Sequence, residues 1–265
     1  MKLKILNLNN TETKSVDLPN QFFEPVRTDL IHRAFLITQS NKKQPYGSDP
    51  EAGKKYSSEL SRRRKKYRGS YGQGISRVPR KILSSRGTRF SWVGATMPGT
   101  VGGRRAHPPK VEKKLSDKIN IKERRKAIRS AMAATIDEKF VKARGHFIPV
   151  NYPFVLTDKI GEINKTKKLK QVLIKLGFEK ELIRSDEKGS VGLLLVCVEK
   201  EENTLKKAIN NLNGFEVVNV KKLGVEQLAP GGVPGRLTVF TEMAFLKLKN
   251  EKLFTQNYVF SEKQN

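Results

Sequence analysis

Residues 191–220, VGLLLVCVEKEENTLKKAINNLNGFEVVNV, decide the fold. The unbroken apolar run over 191–198 is the pattern of a strand buried on both faces, not of one with a wet side. Residues 203–212 then repeat at helical spacing, and 215–220 read as a second strand. Strand, helix, strand in that order implies parallel pairing through a right-handed crossover. The same alternation continues outward. Residues 154–156 form a short strand, 166–176 a helix ended by Gly177, and 236–240 a further strand, after which Thr241 can cap a helix over 242–249. Near the start, KLKILNL (2–8) alternates polar and apolar residues as a strand does. Thr28 can cap a helix whose apolar stripe is Leu30, Ile31, Ala34, Phe35 and Ile37. Asn120 opens a single long helix, INIKERRKAIRSAMAATIDEKF. Ile121, Ile128, Ala131, Met132 and Thr135 line one face, with Lys122, Arg124, Arg125, Lys126 and Arg129 on the others. The expected fold class is α/β: a mostly parallel sheet flanked by helices, with a long basic irregular loop inserted near the N-terminal third.

That loop is the second decisive feature. Residues 42–114 hold 20 Lys and Arg against four acids, a net +16, whereas the whole chain of 265 residues is +27. The same 73 residues contain ten Gly and nine Leu, Ile, Val or Phe. So few apolar side chains cannot offset the entropy of ordering the chain. The segment therefore needs a partner of opposite charge, and a phosphate backbone fits best. Little regular structure is expected in it beyond a short helix near 54–65, since Pro79, Pro98, Pro108 and Pro109 break helices further on. The expected organisation is a globular α/β domain from 1–41 and 115–252, the extended basic loop at 42–114 as an insertion between two helices, and a tail at 253–265.

The densest charge is Ser61-Arg-Arg-Arg-Lys-Lys-Tyr-Arg-Gly-Ser-Tyr-Gly-Gln-Gly74. Guanidinium forks bind phosphate oxygens in pairs, Lys supplies point charges, and Tyr67 and Tyr71 can stack on unpaired bases. The bland alternative, a solvated charge run, loses ground because basic residues continue for another forty positions with Phe90, Trp92 and His107 interleaved. The candidate RNA-binding set is Arg62, Arg63, Arg64, Lys65, Lys66, Tyr67, Arg68, Tyr71, Arg77, Arg80, Lys81, Arg86, Arg89, Trp92, Arg104, Arg105, His107 and Lys110.

No catalytic, cofactor or metal residues are assigned. Gly94-Ala-Thr-Met-Pro-Gly99-Thr100 has the glycine spacing of a phosphate loop but lacks the Lys after the second Gly, and Pro98 and flanking basic residues stand where a strand and helix belong. Gly69 to Gly74 is out of order for a dinucleotide fingerprint. Gly231-Gly-Val-Pro-Gly235 reads as a turn or a point where backbone meets RNA. His32, His107 and His146 are too dispersed for a metal site, His32 being structural. Acids at 186–187 and 199–202 are expected to be exposed. The lone Cys197 makes no internal disulfide and reads as a small buried hydrophobe on a strand, which fits a reducing cytoplasmic setting. No run of about 18 apolar residues is present, and MKLKILNLNN has no cleavable apolar core, so neither a membrane partner nor a secretory signal is expected.

Three tracts carry a family resemblance. They are Gly99-Thr-Val-Gly-Gly-Arg-Arg-Ala-His-Pro-Pro-Lys110, the helix from Asn120 through Arg-Ser-Ala-Met-Ala-Ala-Thr135, and Leu228-Ala-Pro-Gly-Gly-Val-Pro-Gly-Arg-Leu-Thr-Val-Phe-Thr241. Together they resemble the archaeal branch of large-subunit ribosomal protein four, in order over essentially the whole chain. The absence of a long basic carboxyl extension fits that branch. The resemblance implies a non-enzymatic structural constituent of the large ribosomal subunit that sits in the cytoplasm, one copy per ribosome and not a homo-oligomer. Its globular domain would lie on the solvent side, and its loop would thread large-subunit rRNA, support assembly, and reach the wall of the polypeptide exit tunnel. Partners would be rRNA, neighbouring large-subunit proteins, one of them a second loop protein at a tunnel narrowing, and the nascent polypeptide. By position, residues 68–80 look like the tunnel-reaching tip, with Gly69, Tyr71, Gly72, Gly74, Arg77 and Arg80 lining it, and 99–110 look like the return limb. The rivals are a non-ribosomal RNA- or DNA-binding protein and a nucleotide-dependent α/β enzyme.

Overall fold

A computed structural model of the chain describes residues 2–60, 62–67 and 69–255. The chain divides into two compact units: residues up to Lys42 together with those from Ser116 on, and Lys43–Leu115.

In the first unit the elements are β1 (Lys2–Leu6), β2 (Glu12–Asp17) and α1 (Thr28–Asn41), then, after the insertion with its strands β3 (Arg80–Arg86) and β4 (Arg89–Gly94), α2 (Ile121–Ile136), α3 (Glu138–Ala143), β5 (Phe154–Leu156), α4 (Thr166–Lys175), α5 (Glu179–Lys188), β6 (Leu194–Cys197), α6 (Glu199–Ile209), β7 (Glu216–Asn219), the single turn α7 (Val225–Leu228), β8 (Thr238–Thr241) and α8 (Glu242–Asn250). Six strands form one sheet in the order β2-β1-β5-β8-β6-β7. Every neighbouring pair is parallel except β1 with β2. This is the α/β fold read from the 191–220 segment.

The alternation of strand side chains sorts the core into two layers. Leu194 and Val196 of β6 pack toward α1, α2 and α8, through Ile31, Ala34, Ile128, Met132, Phe245 and Leu248. Leu195 and Cys197 face the other way, onto Leu169, Leu173, Leu182, Leu205 and Ala208 of α4, α5 and α6. Burial pushes the Cys197 thiol up to about 12, so it sits as a neutral hydrophobe.

Several element ends differ from the sequence pattern. β2 (ETKSVD) was not anticipated because almost all its side chains are exposed: it is an antiparallel edge strand with no apolar face. The long helix from Asn120 breaks at Asp137, which leaves the helical region and accepts from Lys139 N to start α3. Ile121, expected on the buried face, is 68% exposed. Thr28 is the first helical residue and caps nothing. The α1 entry is held by Ser130, whose hydroxyl donates to Pro25 O and accepts from Arg27 N. Thr241 likewise makes no side-chain cap to α8; its hydroxyl donates to Glu201. Among the acids expected to be exposed, Glu202 is buried and paired with Lys206 at 2.6 Å.

Packing also continues past Lys252. Leu253 is buried, Gln21 Nε2 donates to its carbonyl, and Arg129 and Arg125 donate to Phe254 O and Thr255 O. The α2 basic face thus clamps the end of the described chain. Arg129 also pairs with Glu24 at 2.9 Å.

Two buried polar clusters hold the loops. Arg236, 1% exposed, donates to Gly192 O, Gly214 O and Gln227 O and pairs with Glu216, so one guanidinium ties together three loops at one end of the sheet. Burial lowers its pKa, against the opposing pull of Glu216. Gly235, at φ 96, packs so tightly on Phe140 that a Cβ would lie 2.5 Å from its carbonyl oxygen. The 231–235 glycine tract is therefore an intramolecular approach. The second cluster is His146, 2.7 Å from Glu181, with Arg184 also on that carboxylate at 2.6 Å. A carboxylate only accepts, so His146 Nδ1 carries the proton.

Burial lowers the His146 pKa and outweighs the opposing pull of Glu181. Burial would raise the Glu181 carboxyl, but hydrogen bonds from His146, Arg184 and Phe147 N together hold it below its ordinary value. Both folded-state pKa values lie below their unfolded ones, so the unfolded chain binds more protons as pH falls. Stability should be full above about pH 6.5, the unfolded histidine value, and decline in two stages below it. Urea titrations across this range should show the first stage absent in His146→Gln; an unchanged upper slope would contradict the assignment.

Candidate nucleic-acid interface

The insertion enters and leaves at neighbouring points. Asn41 Oδ1, at the end of α1, accepts from Asp117 N at 2.9 Å, and Arg33 of α1 pairs with Glu123 of α2 at 3.0 Å. Between them, in residues 43–115, only Ser70 and Ala95 are buried among the described residues. A body this size with its own core would bury far more.

What order the segment has comes from backbone contact and from one hairpin. The outgoing and returning limbs lie side by side: Ser48 N donates to Pro109 O at 3.2 Å. Gly53, at φ 73, meets Gly103 and Arg104 so closely that a Cβ there would sit 2.4 Å from Arg104 N. Residues 49–54 run as tight turns, with Ala52 N on Asp49 O and Lys54 N on Glu51 O. The helix expected near 54–65 does not form among the described residues; like charges at 62–66 would repel one another along its face. Instead Glu59 bridges to Arg80.

β3 and β4 pair antiparallel around Gly87-Thr88, with Ile82 opposite Trp92 and Ser85 opposite Phe90. This hairpin is the regular structure that the composition of the segment conceals. Its signals were the alternation of Phe90 and Trp92 on one face and a Gly at the first turn position, here at φ 59. Phe90 stacks on Trp92 with centroids 5.5 Å apart, and Tyr67 meets Phe90 edge-on, also at 5.5 Å. Lys81 lies 4.0 Å over Tyr56, and Arg77 5.0 Å over Tyr71.

The sequence-derived residues fall into three groups. Arg62, Arg63, Arg64, Lys65 and Lys66 are exposed, as are Arg77, Arg86, Arg89, Arg105, His107 and Lys110; Arg104 is half-buried against the limb contact. Trp92 and Tyr67 belong to the aromatic row, while Arg80 and Lys81 are half-buried beside it. Among the tip residues, Gly72 and Gly74 have open space around them, and Arg80 Nη2 donates to Ser76 O and Oγ at 3.0 and 3.1 Å. Arg68 lies outside the described residues. Lys55 is the one basic side chain of 43–115 in an ion pair among the described residues, with Asp49 at 2.8 Å. The bond to Lys55 lowers the Asp49 pKa. Among the described residues the other basic side chains of 43–115 form no ion pair.

Enzyme-like features do not assemble. The strand missing from the 94–100 glycine pattern is present as β4, but no helix follows. The chain folds back through Met97 N to Ala95 O and Gly103 N to Thr100 O, so no row of N–H groups faces a phosphate. Among the described residues no three His, Cys, Asp or Glu gather as metal ligands, and no helix is long and apolar enough to cross a membrane.

An α/β unit with its own core and a basic insertion almost without one make a protein whose charge is left for a partner. Its sequence relatives narrow that class. The Ribosomal protein L4/L1 family profile matches residues 16–251. The chain is 45% identical over 269 residues to large ribosomal subunit protein uL4 of Nanoarchaeum equitans, covering 96% of this chain and 100% of that protein. It is 42% identical over 266 residues to uL4 of Methanocaldococcus jannaschii, with 94% and 98% covered, and 39% over 259 residues to uL4 of Archaeoglobus fulgidus, with 92% and 96% covered. The chain belongs to the ribosomal protein L4/L1 family, in its archaeal branch. It is a ribosomal protein and not an enzyme.

The limb contact predicts that Gly53→Ala, which forces a Cβ into Gly103 and Arg104, will weaken RNA binding about tenfold or more while leaving the thermal midpoint of the α/β unit unchanged. Filter binding and calorimetry on the same preparation check both.

Proposed function

We propose that this chain is a structural constituent of the large ribosomal subunit, with residues 42–114 as its rRNA-binding element and 1–41 with 115–252 as its α/β domain. One observation supports the reading most: among the described residues of the insertion, most basic side chains are solvent-facing and without an ion pair, and only two residues are buried. Phosphates converging from several RNA strands are the counter-charge it lacks, and ordering of the insertion is coupled to folding of the RNA around it. The protein is one copy per ribosome, contacts neighbouring large-subunit proteins, and supports assembly.

The tip follows from the same logic. Residues 69–80 hold open glycines with Arg77 and Arg80 drawn in over the turn, a low and positive surface suited to a passage that a nascent polypeptide must traverse. We assign it to the wall of the exit tunnel, with Arg77 and Arg80 on the RNA near its narrowing.

Sedimentation tests the reading. The intact chain should co-migrate with large subunits through a high-salt wash, and a chain deleted for 69–80 should still do so while altering nascent-chain or tunnel-drug behaviour. Loss of incorporation on deletion would make the tip an assembly element. Free sedimentation of the intact chain would favour a non-ribosomal nucleic-acid binder, and saturable ATP or NAD binding would favour an enzyme.

A further inference from the structure

One cleft in residues 43–115 differs from the rest of that polar surface. It encloses about 700 Å³ beside the hairpin, and Ser58, Glu59, Lys66, Tyr67, Arg80 and Trp92 line it. Ser58 Oγ and Arg80 Nε are buried there without a hydrogen-bond partner. Among the described side chains the one other such atom is His146 Nε2 in the α/β unit, so two of three converge on this cleft. A buried polar atom left unmet costs about 1–3 kcal/mol. Two at one cleft describe a site whose ligand brings the missing acceptor.

The remaining walls narrow the ligand. Arg80 is anchored through Nη2 to Ser76, which fixes the guanidinium and leaves Nε–H as the donor at the cleft. Glu59, whose main chain bridges to that of Arg80, lines the same cleft. Trp92, backed by Phe90, and Tyr67 supply ring surface at stacking distance from one another's neighbours. Lys66, exposed at the rim, supplies a positive charge. Flat rings, a guanidinium donor, a hydroxyl and a cation around one cavity are the groups that read a nucleobase and its phosphate. A base inside a duplex is stacked on both faces and cannot present itself to such walls.

We propose that this cleft captures one unpaired RNA base, stacked on the Tyr67–Trp92 wall, with Arg80 Nε–H and the Ser58 hydroxyl on acceptor atoms of its edge and Lys66 on its phosphate. The proposal rests on the rRNA-binding reading above and adds to it a preference for single strands, with Ser58 and Glu59 as contact residues that composition did not single out.

Trp92 is the chain's single tryptophan, so its fluorescence reports on this cleft alone. The full chain would be titrated at fixed salt with a mixed-sequence single-stranded RNA hexamer and with a duplex of equal length, binding being followed in parallel by calorimetry. The single strand should quench Trp92 and the duplex should bind without quenching. Arg80→Lys, which keeps the charge, and Ser58→Ala should each lower single-strand affinity about tenfold, and Ser58→Ala should leave duplex affinity and its salt dependence unchanged. Equal quenching by the duplex, or binding of both without quenching, would overturn the base pocket and leave phosphate binding standing. Failure of both RNAs to bind would overturn the rRNA reading and the pocket with it, and failure of the single strand alone would overturn the pocket. Quenching by a mononucleotide at the hexamer's concentration would assign the cleft to a free nucleotide, against the proposal.

Discussion

Net positive charge with little to neutralise it governs residues 42–114, which hold +16 of the chain's +27 and pair two basic side chains, Lys42 and Lys55, with carboxylates among the described residues. Self-repulsion of this size works against a compact chain, and the segment has almost no buried surface to oppose it. Its order relies on main-chain proximity between two glycine-bearing limbs and on an aromatic row across one hairpin. A two-stranded hairpin alone is marginal in water. These devices set a path for the backbone; a polyanion is what would make that path stable.

The α/β unit solves a different problem. Several of its charges are consumed internally. Arg129 and Arg125 hold the end of the described chain, Arg236 gathers three loops, and Arg184 and His146 share Glu181. Such buried clusters contribute little net stability while intact but are costly to break. They explain why basic residues of the two units behave differently despite similar composition. On α2, Arg125, Lys126 and Arg129 face carbonyls or Glu24; most of those described in the insertion face solvent.

The sheet was legible because burial on both faces leaves an unmistakable run at 191–198, and Gly177 marks a helix end by itself. β2 was not, since an edge strand with exposed side chains has no hydrophobic pattern to reveal it. Capping failed at Thr28 because the helix begins on it, with Arg27 N held by Ser130, and at Thr241 because its hydroxyl is taken by Glu201. His146 looked isolated because its partner lies 35 residues away in sequence. In the insertion, the basic and aromatic residue types were readable, but the Ser58–Arg80 cleft was not: it depends on Glu59 bridging back to Arg80, a pairing that no spacing announces.

Hydrogen exchange on the full chain, alone and with large-subunit rRNA at physiological salt, tests the central claim most directly. The account predicts protected amides in β5, β6 and β8 in both samples, and amides of 43–115, including the Arg80–Arg86 and Arg89–Gly94 hairpin, exchanging fast alone and slowly with RNA. Strong protection of 43–115 in the RNA-free protein would contradict it.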